Sequence, residues 1–146
     1  MITVRPLASE DFEVWLPLWH GYLEFYETTL TPEITKHTFD RLVDATTPMH
    51  GALAVTEEGA AVGMVNWLTH SGTWSDKDSC YLEDLFVSKD ARGTGAGRAL
   101  IQYVDDWARA HGTSKVYWLT AETNSTAQKL YDRMAKKTGF IHYQID

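Results

Sequence analysis

Hydrophobic and polar residues follow two different periods along this chain, and the period switches at turn residues. Alternating apolar positions, or short runs rich in aromatic and β-branched residues, predict strands. Apolar residues three or four positions apart predict helices. Strands are predicted over residues 2–5, 51–56, 60–69, 81–87, 115–120 and 139–145, and helices over about 11–28, 32–43, 96–110 and 124–135. This order of elements predicts a mixed α/β fold with a central sheet.

Local signals mark several boundaries. Thr31 and Pro32 form an N-cap and first-position pair for the second helix. Gly59 supplies the turn of a hairpin between the second and third strands. Residues 72–78 form a polar loop that contains Trp74, and this loop is either a rim over a site or a long hairpin turn.

The first predicted helix carries many aromatic residues on one face. Its stripe consists of Phe12, Trp15, Trp19, Tyr22 and Tyr26. Packing of this face on the sheet explains most of them. Tyr22 and Tyr26 are also candidates for lining a substrate pocket.

Composition limits the class of protein. We expect one domain over residues 1–146, because 44% hydrophobic and 23% charged residues are ordinary for a globular chain of this length. No apolar run reaches the roughly 20 residues that span a bilayer, and the first residues do not resemble a signal peptide, so we expect a cytoplasmic protein without membrane contact.

The net charge and the spacing of potential metal ligands limit which partners and metals the chain is expected to bind. The net charge of −7 argues against nucleic acid as a partner and weakly favours cationic molecules such as amines. Cys80 is the single cysteine, and the six histidines show no metal-ligand spacing. We therefore predict no internal disulfide and no metal.

The stretch after the fourth strand has the pattern of a phosphate-binding loop. Three glycines, Gly93, Gly95 and Gly97, alternate with Thr94 and Ala96 between a strand and a helix. Glycine lets a ligand approach the backbone, and a helix N-terminus offers free N–H groups and partial positive charge. A glycine-rich helix entry without a ligand is the alternative.

The glycine spacing excludes two common nucleotide sites. A dinucleotide fingerprint requires G-x-G-x-x-G, and a mononucleotide P-loop requires G-K-[ST] after its last glycine. This chain reads G-T-G-A-G-R-A, which fits neither motif.

Two motifs resemble those of the Gcn5-related N-acetyltransferase (GNAT) family. Arg92, Gly95 and Gly97 match the acetyl-CoA signature [QR]-x-x-G-x-[GA]. Asn124 and Tyr131 begin and end a match to a second signature, N-x-x-A-x-x-L-Y. The nearest branches by resemblance are the diamine acetyltransferases and the yeast histone and polyamine acetyltransferases.

The resemblance implies a mixed, mostly antiparallel sheet that is splayed between the strands at 81–87 and 115–120 and flanked by about four helices. It implies acetyl-CoA as co-substrate, with its pantetheine arm beside the first of these strands and its pyrophosphate on the glycine loop. The residues implied in coenzyme binding are Leu85, Phe86, Val87, Arg92, Gly93, Thr94, Gly95, Ala96, Gly97, Arg98, Asn124 and Tyr131.

The C-terminal end departs from the family pattern. Gly139 and Phe140 follow Tyr131 later than is usual, which implies a last helix about one turn longer and leaves room for strand exchange. We therefore expect a homodimer.

Acetyl transfer to an amine requires removal of a proton, because an alkyl ammonium has a pKa of about 10.4. Glu83 is the candidate base, directly or through water, and Asp84 is a neighbour that holds the cation. Neighbouring residues on a strand face opposite ways, so one of the two is expected in the cleft.

A backbone N–H near Leu85 is expected to stabilise the carbonyl oxygen, and Tyr131 is the candidate general acid. The alternatives to these catalytic roles are that Glu83 is an ordinary surface carboxylate and that Tyr131 is a residue of the hydrophobic core.

The sequence thus predicts acetyl transfer to the primary amine of a small, polyamine-like substrate. The predicted substrate contacts are Tyr22, Tyr26, Glu83, Asp84 and Trp67. Two alternatives stay open, namely a protein lysine or N-terminus as acceptor, and a noncatalytic acetyl-CoA-binding module.

Overall fold

The computed structural model describes residues 1–146, and five strands form one sheet in the order β1-β2-β3-β4-β5. The strands are β1 (Thr3–Pro6), β2 (Met49–Val55), β3 (Ala61–His70), β4 (Ser79–Val87) and β5 (Val116–Tyr117). The helices are α1 (Phe12–Phe25), α2 (Pro32–Val43), α3 (Ala96–Ala110) and α4 (Ser125–Met134), with 3₁₀ turns at Ser9–Asp11 and Lys89–Ala91. Pairing is antiparallel from β1 to β4 and parallel between β4 and β5. The predicted mixed, mostly antiparallel sheet with four helices is confirmed.

The sheet separates two hydrophobic layers. On one face, α1 and α2 pack against the sheet through Trp15, Trp19 and Phe39. On the other face, Leu100 and Val104 of α3 contribute to the second layer. Trp15 and Trp19 of the aromatic stripe predicted on α1 are therefore core residues, whereas Tyr26 is 47% exposed.

Helix caps and turns lie where the sequence places them. The hydroxyl of Thr31 accepts a hydrogen bond from the N–H of Ile34 at 3.2 Å, which fixes the start of α2. Gly59 has a φ of 86°, a left-handed conformation that glycine adopts without strain in the β2–β3 turn. None of the four helices combines the length and the hydrophobicity that crossing a bilayer requires.

A β-bulge interrupts β4 at its centre. Trp67 pairs with Leu82 and the adjacent Asn66 pairs with Asp84, so Glu83 is an extra residue without a partner on β3. The bulge reverses the alternation of side chains. Before it, Cys80 and Leu82 face the α3 layer, and after it Leu85 and Val87 do so while Phe86 packs on the α1 side.

The C-terminal predictions were partly wrong. α4 ends at Met134 and Ala135 is extended, so the last helix is not lengthened. No strand forms over 139–145, and β5 has two residues where six were predicted. The segment stays outside the sheet, since no backbone amide beyond Ala135 donates to a backbone carbonyl, and the outer edge of β5 has no partner. An extended segment becomes a strand only through such ladder hydrogen bonds. The segment leaves Phe140 and Ile145 exposed to 89% and 99%.

Candidate active site

The site lies where β4 and β5 separate. These strands pair only at Cys80 with Val116 and at Tyr81 with Tyr117. From residue 82 to residue 87, β4 keeps its ladder with β3 on one side and has no strand on the other. Its free N–H and C=O groups are therefore available to an extended ligand, which agrees with the splay that the resemblance implied.

The glycine loop presents a row of unpaired amides beside this opening. The backbone N–H groups of Gly93, Gly95, Ala96, Gly97 and Arg98 donate to no carbonyl or side chain of the protein. Gly93 and Gly95 have φ values of 83° and 88°, so both need the left-handed conformation. Consecutive free amides at a helix N-terminus form a site suited to a diphosphate.

The side chains around the loop have different surroundings. The guanidinium of Arg92 lies near the end of β4, where its Nε donates to the carbonyl of Val87 at 3.4 Å. Thr94 is held within the loop, since its hydroxyl donates to the carbonyl of Ala91. Arg98 contributes a free amide to the loop, whereas its side chain lines a separate groove beside α3 and α4.

Helix α4 packs against the loop. A Cβ atom on Gly97 would lie 3.4 Å from Cδ2 of Leu130, so the helix and the loop are in contact. Asn124 accepts a hydrogen bond from the N–H of Ala127 at 3.2 Å and caps the helix, which explains the first four positions of the second motif. The half-buried Tyr131 meets Trp118 edge to face, with 5.4 Å between ring centroids.

Two carboxylates line one cavity next to the opening. Glu83 and Asp84 both border a space of about 300 Å³ between α1, α2 and the sheet. The sequence predicted that only one of them would face the cleft, because strands alternate. The bulge removes this alternation at Glu83, so both carboxylates reach the same cavity.

Burial changes the protonation of both groups. Asp84 is only 7% exposed, and desolvation raises its pKa, while the nearby hydroxyl of Tyr22 and the hydrogen bond from Asn66 partly oppose this rise. Desolvation also raises the pKa of Glu83, the charge of Asp84 raises it further, and the guanidinium of Arg41 lowers it. A carboxylate with a raised pKa is a better proton acceptor near neutral pH.

Tyrosines connect the cavity to α4. Tyr22 and Tyr26 lie 5.0 Å apart by ring centroid. Burial raises the pKa of both, and the charge of Asp84 raises it further. Tyr26 is also close enough to Tyr131 to raise its pKa, although burial of Tyr131 is the larger cause. Tyr22, Tyr26 and Asp84 thus lie close together, and Tyr26 is the residue of this group that is near Tyr131.

The remaining predicted residues have mixed roles. Trp67 borders the cavity, but its indole packs against Trp107 at 5.4 Å in the α3 layer. Leu85 and Val87 line the α3 side of the free edge. The ring of Phe86 fills the space above Gly21 of α1, where a Cβ atom would lie 2.6 Å from it.

Sequence reasoning missed Asn66 and Arg41. The amide of Asn66 donates to Asp84 at 3.1 Å, and both residues are buried. Arg41 reaches the cavity from α2. The available signal was the buried face of α2, where the polar Thr35 and Thr38 occur at core spacing.

This arrangement is that of a transferase that binds an acyl-coenzyme A thioester in the opening of a sheet. The chain belongs to the acetyltransferase (GNAT) family, whose model matches residues 12–135. It is therefore an acetyl-CoA-dependent N-acetyltransferase.

Individual relatives extend this similarity over the whole chain. The chain is 40% identical over 144 residues to the D-amino-acid N-acetyltransferase HPA3 of Saccharomyces cerevisiae, covering 98% of this chain and 89% of that protein. An uncharacterized N-acetyltransferase of Bacillus subtilis, YhfO, is 27% identical over 149 residues, covering 99% and 97%.

A solved structure has the same fold at low identity. The aminoglycoside acetyltransferase AAC(6')-Iy, solved with a bisubstrate analogue that contains CoA, superposes with a TM-score of 0.86 at 17% identity. The match covers 100% of this chain and 98% of that protein.

Proposed function

We propose that this enzyme acetylates the primary amine of a small molecule that binds between Glu83, Asp84 and the opening of β4. The cavity of about 300 Å³ carries this proposal, because its size suits a small ligand and two carboxylates border it. Carboxylates attract an ammonium group and can accept its proton.

The residues around the opening fit coenzyme A. The loop amides suit its diphosphate, and the free edge of β4 suits its extended pantetheine arm. Acetyl-CoA supplies the acetyl group as a thioester, which is activated for attack by a neutral amine. We propose that Leu85, Phe86 and Val87 align this arm through their backbone and that Asn124 lies along it.

We propose separate tasks for the two carboxylates and for Tyr131. Asp84, held by the hydrogen bond from Asn66, keeps its position and orients the ammonium. Glu83 lies on the bulge and accepts the proton, directly or through water. Tyr131 stays protonated because burial raises its pKa, so it can donate a proton to the departing sulfur.

Two acceptor classes fit these carboxylates. The sequence predicted a polyamine-like cation, whose positive charge the carboxylates would neutralise. The relative HPA3 is named for D-amino acids, and an amino acid is the second candidate. The presence of Arg41 in the same cavity favours the second class.

A thiol-release assay tests the proposal. Acetyl-CoA is offered with polyamines, D- and L-amino acids, aminoglycosides and lysine peptides, and calorimetry measures coenzyme binding separately. We expect coenzyme binding together with turnover on at least one small amine. Turnover confined to peptides, or binding without turnover on any amine, would contradict the proposal.

We also propose a homodimer in which residues 139–145 of one copy pair with β5 of the other. The outer edge of β5 has no partner strand, and a groove of about 490 Å³ runs beside it between α3 and α4. The exposed tail carries Phe140, Ile141, Tyr143 and Ile145. If the tail of one copy paired with β5 of the other, it would cover the free strand edge and bury its own exposed apolar side chains. A cytoplasmic location stays a prediction.

A further inference from the structure

One guanidinium lies in the acceptor cavity without an anionic partner. Arg41 borders the cavity together with Glu83 and Asp84. Its Nε is buried and donates to no acceptor of the protein. Its Nη2 donates to the hydroxyl of Thr38 at 3.3 Å, and none of the four ion pairs of the chain includes it.

This arrangement is unfavourable unless a ligand completes it. A buried N–H without an acceptor costs free energy, and the Nε of Arg41 is such a group. Glu83 and Asp84 relieve this cost only in part, because neither forms an ion pair with Arg41, although Arg41 is close enough to lower the pKa of Glu83. The planar guanidinium is suited to a second carboxylate, which it can bind through two parallel hydrogen bonds.

We infer that Arg41 binds a carboxylate group of the acceptor and thereby selects α-amino acids over amines that lack a carboxylate. This inference rests on the proposed function, since it names the acceptor of the same site. An α-amino acid presents one negative and one positive group a few ångströms apart, which matches a cavity lined by one arginine and two carboxylates. A polyamine has no group that pairs with Arg41.

A hydrogen bond to Thr38 fixes the direction of the Arg41 side chain. The hydrogen bond to Thr38 joins two positions three residues apart on α2, so the guanidinium is held along the helix face that points to the cavity. Thr38 is itself buried, at 9% exposure. Thr38 is therefore a positioning residue, whereas Arg41 touches the substrate.

The test compares each acid with its own carboxamide. The probes are D- and L-phenylalanine, D- and L-leucine, the four corresponding carboxamides, and spermidine. For the wild-type enzyme we expect kcat/KM for one or more acids to exceed that for its amide by about 10²-fold or more, because a site built for a polar group rejects analogues that lack it. Arg41→Gln is expected to remove most of this preference by lowering kcat/KM for the acid alone.

The comparison between variants removes two complications. An amide has a lower amine pKa than its acid, but the ratio of the two substrates is compared between enzymes, so this difference cancels. All rates are measured at alkaline pH, where Glu83 is ionised in every variant. Lys36→Gln is the matched control, since it removes a cation of the same helix that is exposed and paired with Asp40. Lys36→Gln should leave the preference for acids unchanged, and Thr38→Val should weaken that preference.

Two results would overturn the inference. One is equal turnover of acids, amides and spermidine by the wild-type enzyme. The other is an equal loss for acids and amides in Arg41→Gln, which would mean that Arg41 does not bind the carboxylate of the acceptor.

A binding measurement separates this inference from the proposed function. NMR titration of the CoA-bound protein with the free amino acids requires no turnover. If no amine is acetylated but acids bind, with at least about tenfold weaker binding in Arg41→Gln, the transferase proposal fails and the role of Arg41 stands. If amines are acetylated without any preference for acids, the inference fails alone.

Discussion

Two adjacent carboxylates with different surroundings define the chemistry at the scale of single residues. Asp84 is buried and held by Asn66, whereas Glu83 is the unpaired bulge residue and is exposed. Both have raised pKa values because of desolvation. The fixed group is suited to hold a cation, and the group at the bulge is suited to exchange a proton.

The role of Glu83 predicts a specific pH dependence. Glu83→Gln is expected to lower kcat by about 10²-fold or more, the usual contribution of a general base. In the wild-type enzyme, the rate should fall as the pH drops through the raised pKa of Glu83, because protonation removes the base. Arg41 lowers that pKa, so Arg41→Gln should move the acid limb of kcat/KM to higher pH. Profiles of kcat/KM against pH measure both effects.

Glu58→Gln, in the β2–β3 turn, provides the control and should leave the profile unchanged. An acid limb that persists in Glu83→Gln at the same pH would assign the base to another group.

Tyr131 gives a second prediction at this scale. Tyr131→Phe should lower kcat by about 10²-fold with little change in coenzyme affinity, because only the proton donor is lost. The measurement is turnover at saturating acetyl-CoA. Tyr103→Phe is a matched control, since burial also raises the pKa of Tyr103 but this residue lies on α3. Unchanged turnover in Tyr131→Phe would remove it from the mechanism.

At the scale of the element, the glycine loop is the proposed binding site of the coenzyme. Gly95 has a φ of 88°, and an alanine there would be strained by about 1–2 kcal/mol or would move the loop. Because the free amides lie in this loop, Gly95→Ala should weaken acetyl-CoA binding by about tenfold or more.

Gly59→Ala is a control that separates the effect of backbone strain from the effect on coenzyme binding. Gly59 also has a positive φ, of 86°, and a Cβ atom there would meet nothing within 4 Å. This variant should lower thermal stability to a similar extent and leave the Kd for acetyl-CoA unchanged. Calorimetric titration together with thermal unfolding distinguishes the two outcomes. Equal coenzyme affinity in Gly95→Ala and the wild type would exclude the loop as the binding site.

Most elements could be predicted from the sequence because their signals are local. Periodicity and the Thr31 cap indicated α2, and the glycine spacing indicated the loop before α3. The bulge at Glu83 has no local signal, since it depends on the register between β3 and β4. For the same reason, the sequence did not reveal that Asn66 and Arg41 lie beside the two carboxylates. That arrangement depends on how β3, α2 and β4 pack together.

The C-terminal segment sets a limit at the scale of the whole molecule. The alternation over 139–145 predicted a strand, and its apolar residues are present, but within one chain the segment pairs with no edge of the sheet. Strand formation depends on a partner, and the sequence of the segment alone does not say which copy supplies it.

The proposed dimer predicts the behaviour of tail variants. Replacing Phe140 and Ile145 with Asp should yield monomers, because the charges would be buried at the interface. Light scattering after gel filtration measures the change. Trp74→Asp is the control, since Trp74 is 99% exposed on the β3–β4 loop and its replacement should leave the dimer intact. A wild-type protein that stays monomeric at high concentration would contradict the exchange.

The unpaired residue in β4 adds a carboxylate to the site without taking a position in the ladder with β3. Removing Glu83 altogether would make Asp84 follow Leu82 directly, and each would stay opposite its present partner on β3. Asp84 would keep facing the cavity and Leu85 would keep facing the layer beneath α3. Deleting Glu83 should therefore remove the proposed base, as substituting it does, and leave the chain able to fold.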